Sequence, residues 1–343
     1  MHFGKFVGAA GALAIATCLS STAGAQGNLN LYCANQIEWC QAVVTAFEKK
    51  TGIKVAMSRK SSGEWYAQVK AEASNPKGDV WWAGTGDPHL QAGEEGLLEP
   101  YKSPMLAELQ DWAVRQAEQS GYKTVGVYAG ALGYGYNTDQ LKKKGLTELK
   151  CWSDLLDPKL KGEVQVADPN ASGTSYTMLA TMVQLMGEDK GFDYLKAMHK
   201  NVNQYTKSGG APAKATTLGE TTVGITFMHD MVTEVSRGAP IKVVAPCEGT
   251  GYEIGGMSLI KGARNLENAK KWYDWIISVE AQTVLVNAGS FQVQSNKNAP
   301  THPLAPKLGE IKLINYDFKK YGTSAERSRL LEKWGKEVKA LPN

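Results

Sequence analysis

The stretch "LNLYCANQIEWCQAVVTAFEKKTGIKVAMSRK", residues 29–60, changes period twice, and that change decides the fold class. "LNLYCAN" (29–35) reads as a strand, whereas "EWCQAVVTAFEKKTG" reads as an amphipathic helix that closes on Gly52. "IKVAMSRK" returns to extended structure. "SSGEWYAQVKAEA" then opens a second helix with serines where caps belong, and "GDVWWAG" is a third strand. Such alternation implies an α/β fold on a parallel sheet.

Outward from this unit the pattern falters once and restarts. "VGVYAGALGYGYNTDQL" (125–141) is rich in Gly and Tyr and less periodic than its neighbours. Beyond it, "GEVQVADPNASGTSYTMLATMVQLMG" reads as strand, loop and helix, and "AKATTLGETTVGITFMHD" as helix, strand and loop. "IKVVAPCEGTGYEIGGMSLIKGA" is extended, and helices fill much of the remainder. A chain of 343 residues is longer than one core usually supports, so two lobes are expected. One lobe is assigned residues 26–133 and 248–295, the other 134–247 and 296–343.

The first 25 residues read as a secretory signal. Lys5 is followed by the apolar run "FVGAAGALAIATCL", and Ala23-Gly24-Ala25 supplies the small-x-small pattern for cleavage after Ala25. Lipid attachment at Cys18 is the alternative, with Thr17 a poor residue before it. Export to the periplasm is the expectation, and no later run of apolar residues is long enough to span a membrane. Removing Lys5 lowers the formal charge by one from +4, a balance that favours neither nucleic acid nor an anionic membrane. Cys33, Cys40, Cys151 and Cys247 remain, an even set for an oxidising compartment. Of the three possible pairings, Cys33–Cys40 with Cys151–Cys247 is preferred. Zinc is the competing use of these thiols, but no C-x-x-C spacing is present.

Four small polar clusters sit where a strand gives way to a helix: "KSSGEW" (60–65), "AGTGDP" (83–88), "NASGTSY" (170–176) and "KSGGAPAKA" (207–215). Helix starts carry unpaired N–H groups and positive potential, so together these make an anion site with few basic side chains. Each alone is ordinary capping. No dinucleotide fingerprint, P-loop or nucleophile elbow is present. Arg59 and Lys60 either add cationic charge beside the serines or, on the preferred reading, face solvent. Trp39, Trp65, Trp81 and Trp82 are either core or a sugar-stacking face. In "TTVGITFMHDMVTEV" (221–235) an apolar strand ends on His229 and Asp230. By periodicity this is a strand turning into a helix with Asp230 as its N-cap. Glu248 or Glu253 could converge with Asp230 in a cleft.

Several segments carry a resemblance: "GDVWWAGTGDP", "EEGLLEPYKSP", "YGYNTDQL", "WSDLLDPKLKG" and "ADPNASGTSYTML". With the leader and residues 29–55, they resemble the periplasmic solute-binding proteins of ABC importers, within these the ferric-iron-binding cluster. The resemblance implies a hinged, type II-like two-lobed protein that closes on a ligand between its lobes and docks transiently on an inner-membrane permease. Ferric members end the stretch equivalent to "VGITFMHD" in two adjacent tyrosines that ligate iron; here His229 and Asp230 stand in their place. The hexose-phosphate branch carries an adjacent His-Asp there and a downstream glutamate, which Glu253 fits by position. The resemblance thus implies that the pair ends a strand at the cleft and reads sugar hydroxyls. A phosphate would then settle on Ser61, Ser62, Thr85, Ser172, Gly173, Thr174, Ser208 and Gly209. The sugar would extend toward His229, Asp230 and Glu253, with neutral imidazole as both donor and acceptor. A monomer without cofactor, metal or catalytic residue is expected. Ferric iron and an aminoalkylphosphonate are the competing ligands. A secreted hydrolase using His229 as general base is the competing class, opposed by the strand alternation that sends adjacent side chains to opposite faces.

Overall fold

The computed structural model describes residues 1–4 and 27–342. The proposed leader, with Cys18 and the cleavage site after Ala25, lies outside the described residues apart from its first four. Strand β1 (Asn28–Cys33), helix α1 (Ile37–Thr51), β2 (Lys54–Arg59), α2 (Ser62–Ala71) and β3 (Val80–Thr85) follow the expected alternation. Gly52, at φ 73°, ends α1 in the left-handed conformation that a side chain would disfavour. Next come α3 (Gly86–Glu94), β4 (Leu98–Glu99), α4 (Asp111–Gln119), β5 (Val125–Asn137) and α5 (Thr138–Lys143). The second run of units is β6 (Val164–Ala167), α6 (Gly173–Met186), α7 (Glu188–His199), β7 (Val202–Thr206), α8 (Ala211–Leu218), β8 (Val223–Phe227) and α9 (Met228–Ser236). The chain finishes with β9 (Ile241–Val244), β10 (Tyr252–Ile260), α10 (Leu266–Ile276), α11 (Val279–Asn287), β11 (Val293–Gln294), α12 (Phe318–Tyr321) and α13 (Ser324–Trp334).

Among the described residues the strands form one path, β2-β1-β3-β10-β5-β8-β6-β7, with β4, β9 and β11 attached at its middle. The flanks are parallel: β1 with β2 and β3, and β6 with β7 and β8. Strand β10 runs antiparallel to both β3 and β5. The first part of β5 pairs with β10 and the last part with β8 and β9, so a single strand carries the sheet from one half to the other.

That role explains why residues 125–137 lack a period. All thirteen residues of β5 are buried, so neither face is marked by polar side chains. Its glycines admit close neighbours: a Cβ on Gly133 would meet Val244 O at 2.5 Å.

Two large cores flank the crossing. One gathers Leu31, Trp39, Phe47, Trp82, Met257 and Trp272; the other gathers Tyr134, Trp152, Tyr176, Phe192, Ile225 and Leu330. Trp39, Trp65, Trp81 and Trp82 are at most 1% exposed, which makes them core and removes them as a sugar-stacking face. Both preferred cysteine pairs are disulfides, Cys33–Cys40 and Cys151–Cys247. Cys151, Cys247 and Glu248 lie close enough to suggest a metal cluster. The sulfurs, however, are spent in the disulfide, and the Glu248 carboxylate accepts from the N–H groups of Trp152 (2.8 Å) and Ser153 (3.0 Å). Glu248 therefore holds a turn beside a disulfide and does not line the cleft.

Candidate functional site

A cavity of about 330 Å³ lies between the two cores. All eleven residues assigned to a ligand from sequence line it. Its first end is made of helix starts. Ser61 is the N-cap of α2 and its N–H is held by Glu64 Oε2 at 3.1 Å, with Ser62 following as the first helical residue. Thr85 is the N-cap of α3. Ser172 caps α6, which opens on Gly173 and Thr174. Ser208 and Gly209 precede Gly210, the N-cap of α8. Four sets of first-turn N–H groups without intrahelical acceptors thus stand around one space.

Glycine lets these ends approach. A Cβ on Gly173 would sit 1.8 Å from Thr85 Oγ1, which belongs to the facing half. One on Gly209 would sit 2.1 Å from Thr174 Oγ1. The strand leading to Thr85 also carries a non-glycine outlier: Ala83 has φ 70°, a local strain of the kind found at binding sites. Thr85 Oγ1 is buried without a hydrogen-bond partner among the described residues.

Arg59 belongs to this end, contrary to the solvent-facing expectation. The residue is exposed overall, yet Nε donates to Asn35 O at 3.0 Å and Nη2 to Ser208 Oγ at 3.2 Å. The guanidinium therefore bridges the halves at the mouth of the cavity. Lys60 does face solvent, resting over the Trp65 ring 5.3 Å from its centroid.

The second end is made of side chains. His229 and Asp230 are in the first turn of α9, whose N-cap is Phe227, so Asp230 is not the cap and the pair is neither loop nor strand. This changes their geometry. Strand alternation would have sent the two side chains to opposite faces, but on a helix start both enter the cavity. His229 Nε2 lies 3.9 Å from Asp230 Oδ1, 3.8 Å from Glu253 Oε1 and 3.5 Å from Gln292 Nε2. None of these is a tight bond, and Nδ1 is buried over Gly130 with no partner among the described residues. The imidazole also stacks on Phe227, with centroids 5.6 Å apart.

Burial sets the protonation states here. It pushes the Glu253 carboxyl well above the ordinary range, with the charges of Asp230 and Asp87 adding to the effect. It lowers the His229 pKa against the pull of Asp230. Burial thus favours the protonated Glu253 carboxyl, which can donate, and the neutral His229 ring, which both donates and accepts. The Asp230 carboxylate accepts from Gln36 Nε2 at 2.7 Å and Thr226 Oγ1 at 2.7 Å. Tyr128 is a phenol lining the cavity; it accepts from Gly84 N at 3.0 Å, and burial first, then Glu253, drives its pKa well up. A phenol so held is a poor source of a metal-binding phenolate.

Sequence reasoning missed Asn35, Gln36, Arg59, Tyr128 and Gln292. One available signal was the short Cys33–Cys40 loop, since Ala34 to Glu38 inside it all line the cavity.

The family model described as bacterial extracellular solute-binding protein matches residues 83–320. The periplasmic binding protein AfuA of Actinobacillus pleuropneumoniae, solved with exogenous fructose-6-phosphate bound, is 48% identical. It superposes with a TM-score of 0.90 over 92% of this chain and 100% of its own. The periplasmic binding protein P5PA is 40% identical, with a TM-score of 0.89 over 91% of this chain and 100% of its own. A putative 2-aminoethylphosphonate-binding periplasmic protein of Salmonella typhimurium is 30% identical over 71% of each chain.

Proposed function

The chain belongs to the bacterial extracellular solute-binding proteins, and from that premise we propose that it is the periplasmic capture component of an ABC importer for a phosphorylated sugar. One observation carries this reading: a single cleft has helix N-termini at one end and a set of buried polar side chains at the other. The first end suits a phosphate, which N–H groups and helix dipoles hold with the Arg59 guanidinium beside them. At the other end, the Asp230 oxygens accept, protonated Glu253 donates and neutral His229 does either, a mixture that suits neighbouring sugar hydroxyls. Residues 26–133 with 248–295, and 134–247 with 296–343, are the two lobes that would close on this ligand and dock on the permease. The mature chain would work as a monomer.

The reading treats the protein as a carrier and not a hydrolase. His229 and Asp230 are 3.9 Å apart, too far for an oriented general-base pair. Iron capture is disfavoured by the lack of paired tyrosines and by the state of Tyr128. An aminoalkylphosphonate is the second reading, favoured by one feature: Asp230 could accept an ammonium group where it would otherwise accept hydroxyls. Native mass spectrometry of protein purified without added ligand tests the proposal. A co-purified mass matching a hexose phosphate is expected, and an aminoalkylphosphonate or a ferric adduct would replace the reading.

A further inference from the structure

One side chain of the opposite half reaches Asp230. Gln36 is the N-cap residue of α1, but its side chain makes no capping bond. Instead Nε2 crosses the cleft and donates to Asp230 Oδ1 at 2.7 Å. The turn that carries it is fixed from three sides. The buried Cys33–Cys40 disulfide closes it, Asn35 Oδ1 accepts from the Gln36 N–H at 3.0 Å, and Arg59 Nε donates to Asn35 O at 3.0 Å. Thr226 holds the other oxygen of Asp230 from its own half. A carboxylate has about four acceptor positions, so these two bonds set its plane and leave the rest to a ligand.

We propose that Gln36 is a positioning residue that fixes the Asp230 carboxylate for ligand hydroxyls and ties that orientation to closure of the lobes. The proposal rests on the reading that Asp230 faces the ligand. The residue type fits the task. An amide gives Asp230 a charge-assisted bond without bringing another charge into a site already lined by Glu38 and Glu234. A carboxylate at position 36 would repel Asp230 and oppose closure.

The test uses Gln36→Ala and Gln36→Glu in the full mature protein. Small-angle scattering with and without ligand reads lobe closure, and stopped-flow with fructose 6-phosphate reads dissociation. Melting temperatures without ligand should stay at the wild-type value, because Gln36 is at the cleft and not in a core. Gln36→Glu should enlarge the radius of gyration, and Gln36→Ala should speed dissociation by about tenfold, the size of one bond to a charged group. Unchanged scattering for Gln36→Glu, or unchanged dissociation for Gln36→Ala, would overturn the proposal. If wild-type protein does not bind fructose 6-phosphate, the sugar-phosphate reading fails, and the scattering of Gln36→Glu still decides whether Gln36 governs closure.

Discussion

At one end of the cleft a ligand would meet backbone: Ser61, Thr85, Ser172 and Gly210 each stand at the start of a helix, and their side chains are small. At the other end it would meet His229, Asp230 and Glu253, three titratable groups with 7% exposure or less. The difference teaches how affinity and specificity separate. N–H groups at helix starts cannot be deleted by exchanging one side chain, so the first end tolerates loss of a single hydroxyl and accepts any suitable anion. Buried polar side chains are costly when unpaired, so the second end rejects ligands that lack a hydroxyl.

Several substitutions would break or sharpen this contrast. The largest effect is expected from Gly173→Ala, whose new methyl would meet Thr85 Oγ1 of the facing half. Overpacking at that contact should hold the lobes apart and weaken fructose 6-phosphate and inorganic phosphate alike, by roughly 3 kcal/mol or about a hundredfold. Selective loss of one ligand in calorimetry would mean that the contact is not part of closure. Asp230→Ala should come next. Removing a charged acceptor and stranding Gln36 and Thr226 should cost roughly 2–3 kcal/mol for fructose 6-phosphate. Thr174→Ala should cost only about 1 kcal/mol, because neighbouring N–H groups keep the anion.

Glu253→Gln should change least. If burial keeps Glu253 protonated, an amide replaces one donor by another, and affinity at neutral pH should stay within about threefold. The pH dependence gives the sign. A carboxyl whose folded pKa is raised contributes stability that is present at low pH and lost as pH climbs through the raised value. Wild-type protein should thus lose folding stability as pH climbs through the raised value, read as melting temperature against pH, while the Gln variant should not. A large loss for Glu253→Gln at neutral pH would show that the ionised form is the one at work.

The parts of the molecule with one exposed face were legible in the sequence. Strands and helices of the first β/α units carry clear periods, and the four polar clusters announced helix starts that do surround one cavity. Strand β5 was not legible, because burial on both faces erases alternation. The strand-to-helix turn near His229 and Asp230 was legible, but its cap is Phe227 and not Asp230. Strand β8 hands directly to α9 at Phe227, an apolar N-cap that carries no capping signal. Arg59 and Gln36 were hidden for another reason: their partners, Ser208 and Asp230, are 149 and 194 residues away, and local pattern says nothing about such pairs.

The division between the two ends is tested most directly by calorimetry of Asp230→Ala with fructose 6-phosphate and with inorganic phosphate. The account predicts that the sugar phosphate loses about thirty- to a hundredfold in affinity while inorganic phosphate, confined to the helix N-termini, changes by less than about twofold. Equal losses for the two ligands would contradict it, since Asp230 would then act on the anion and not on the sugar.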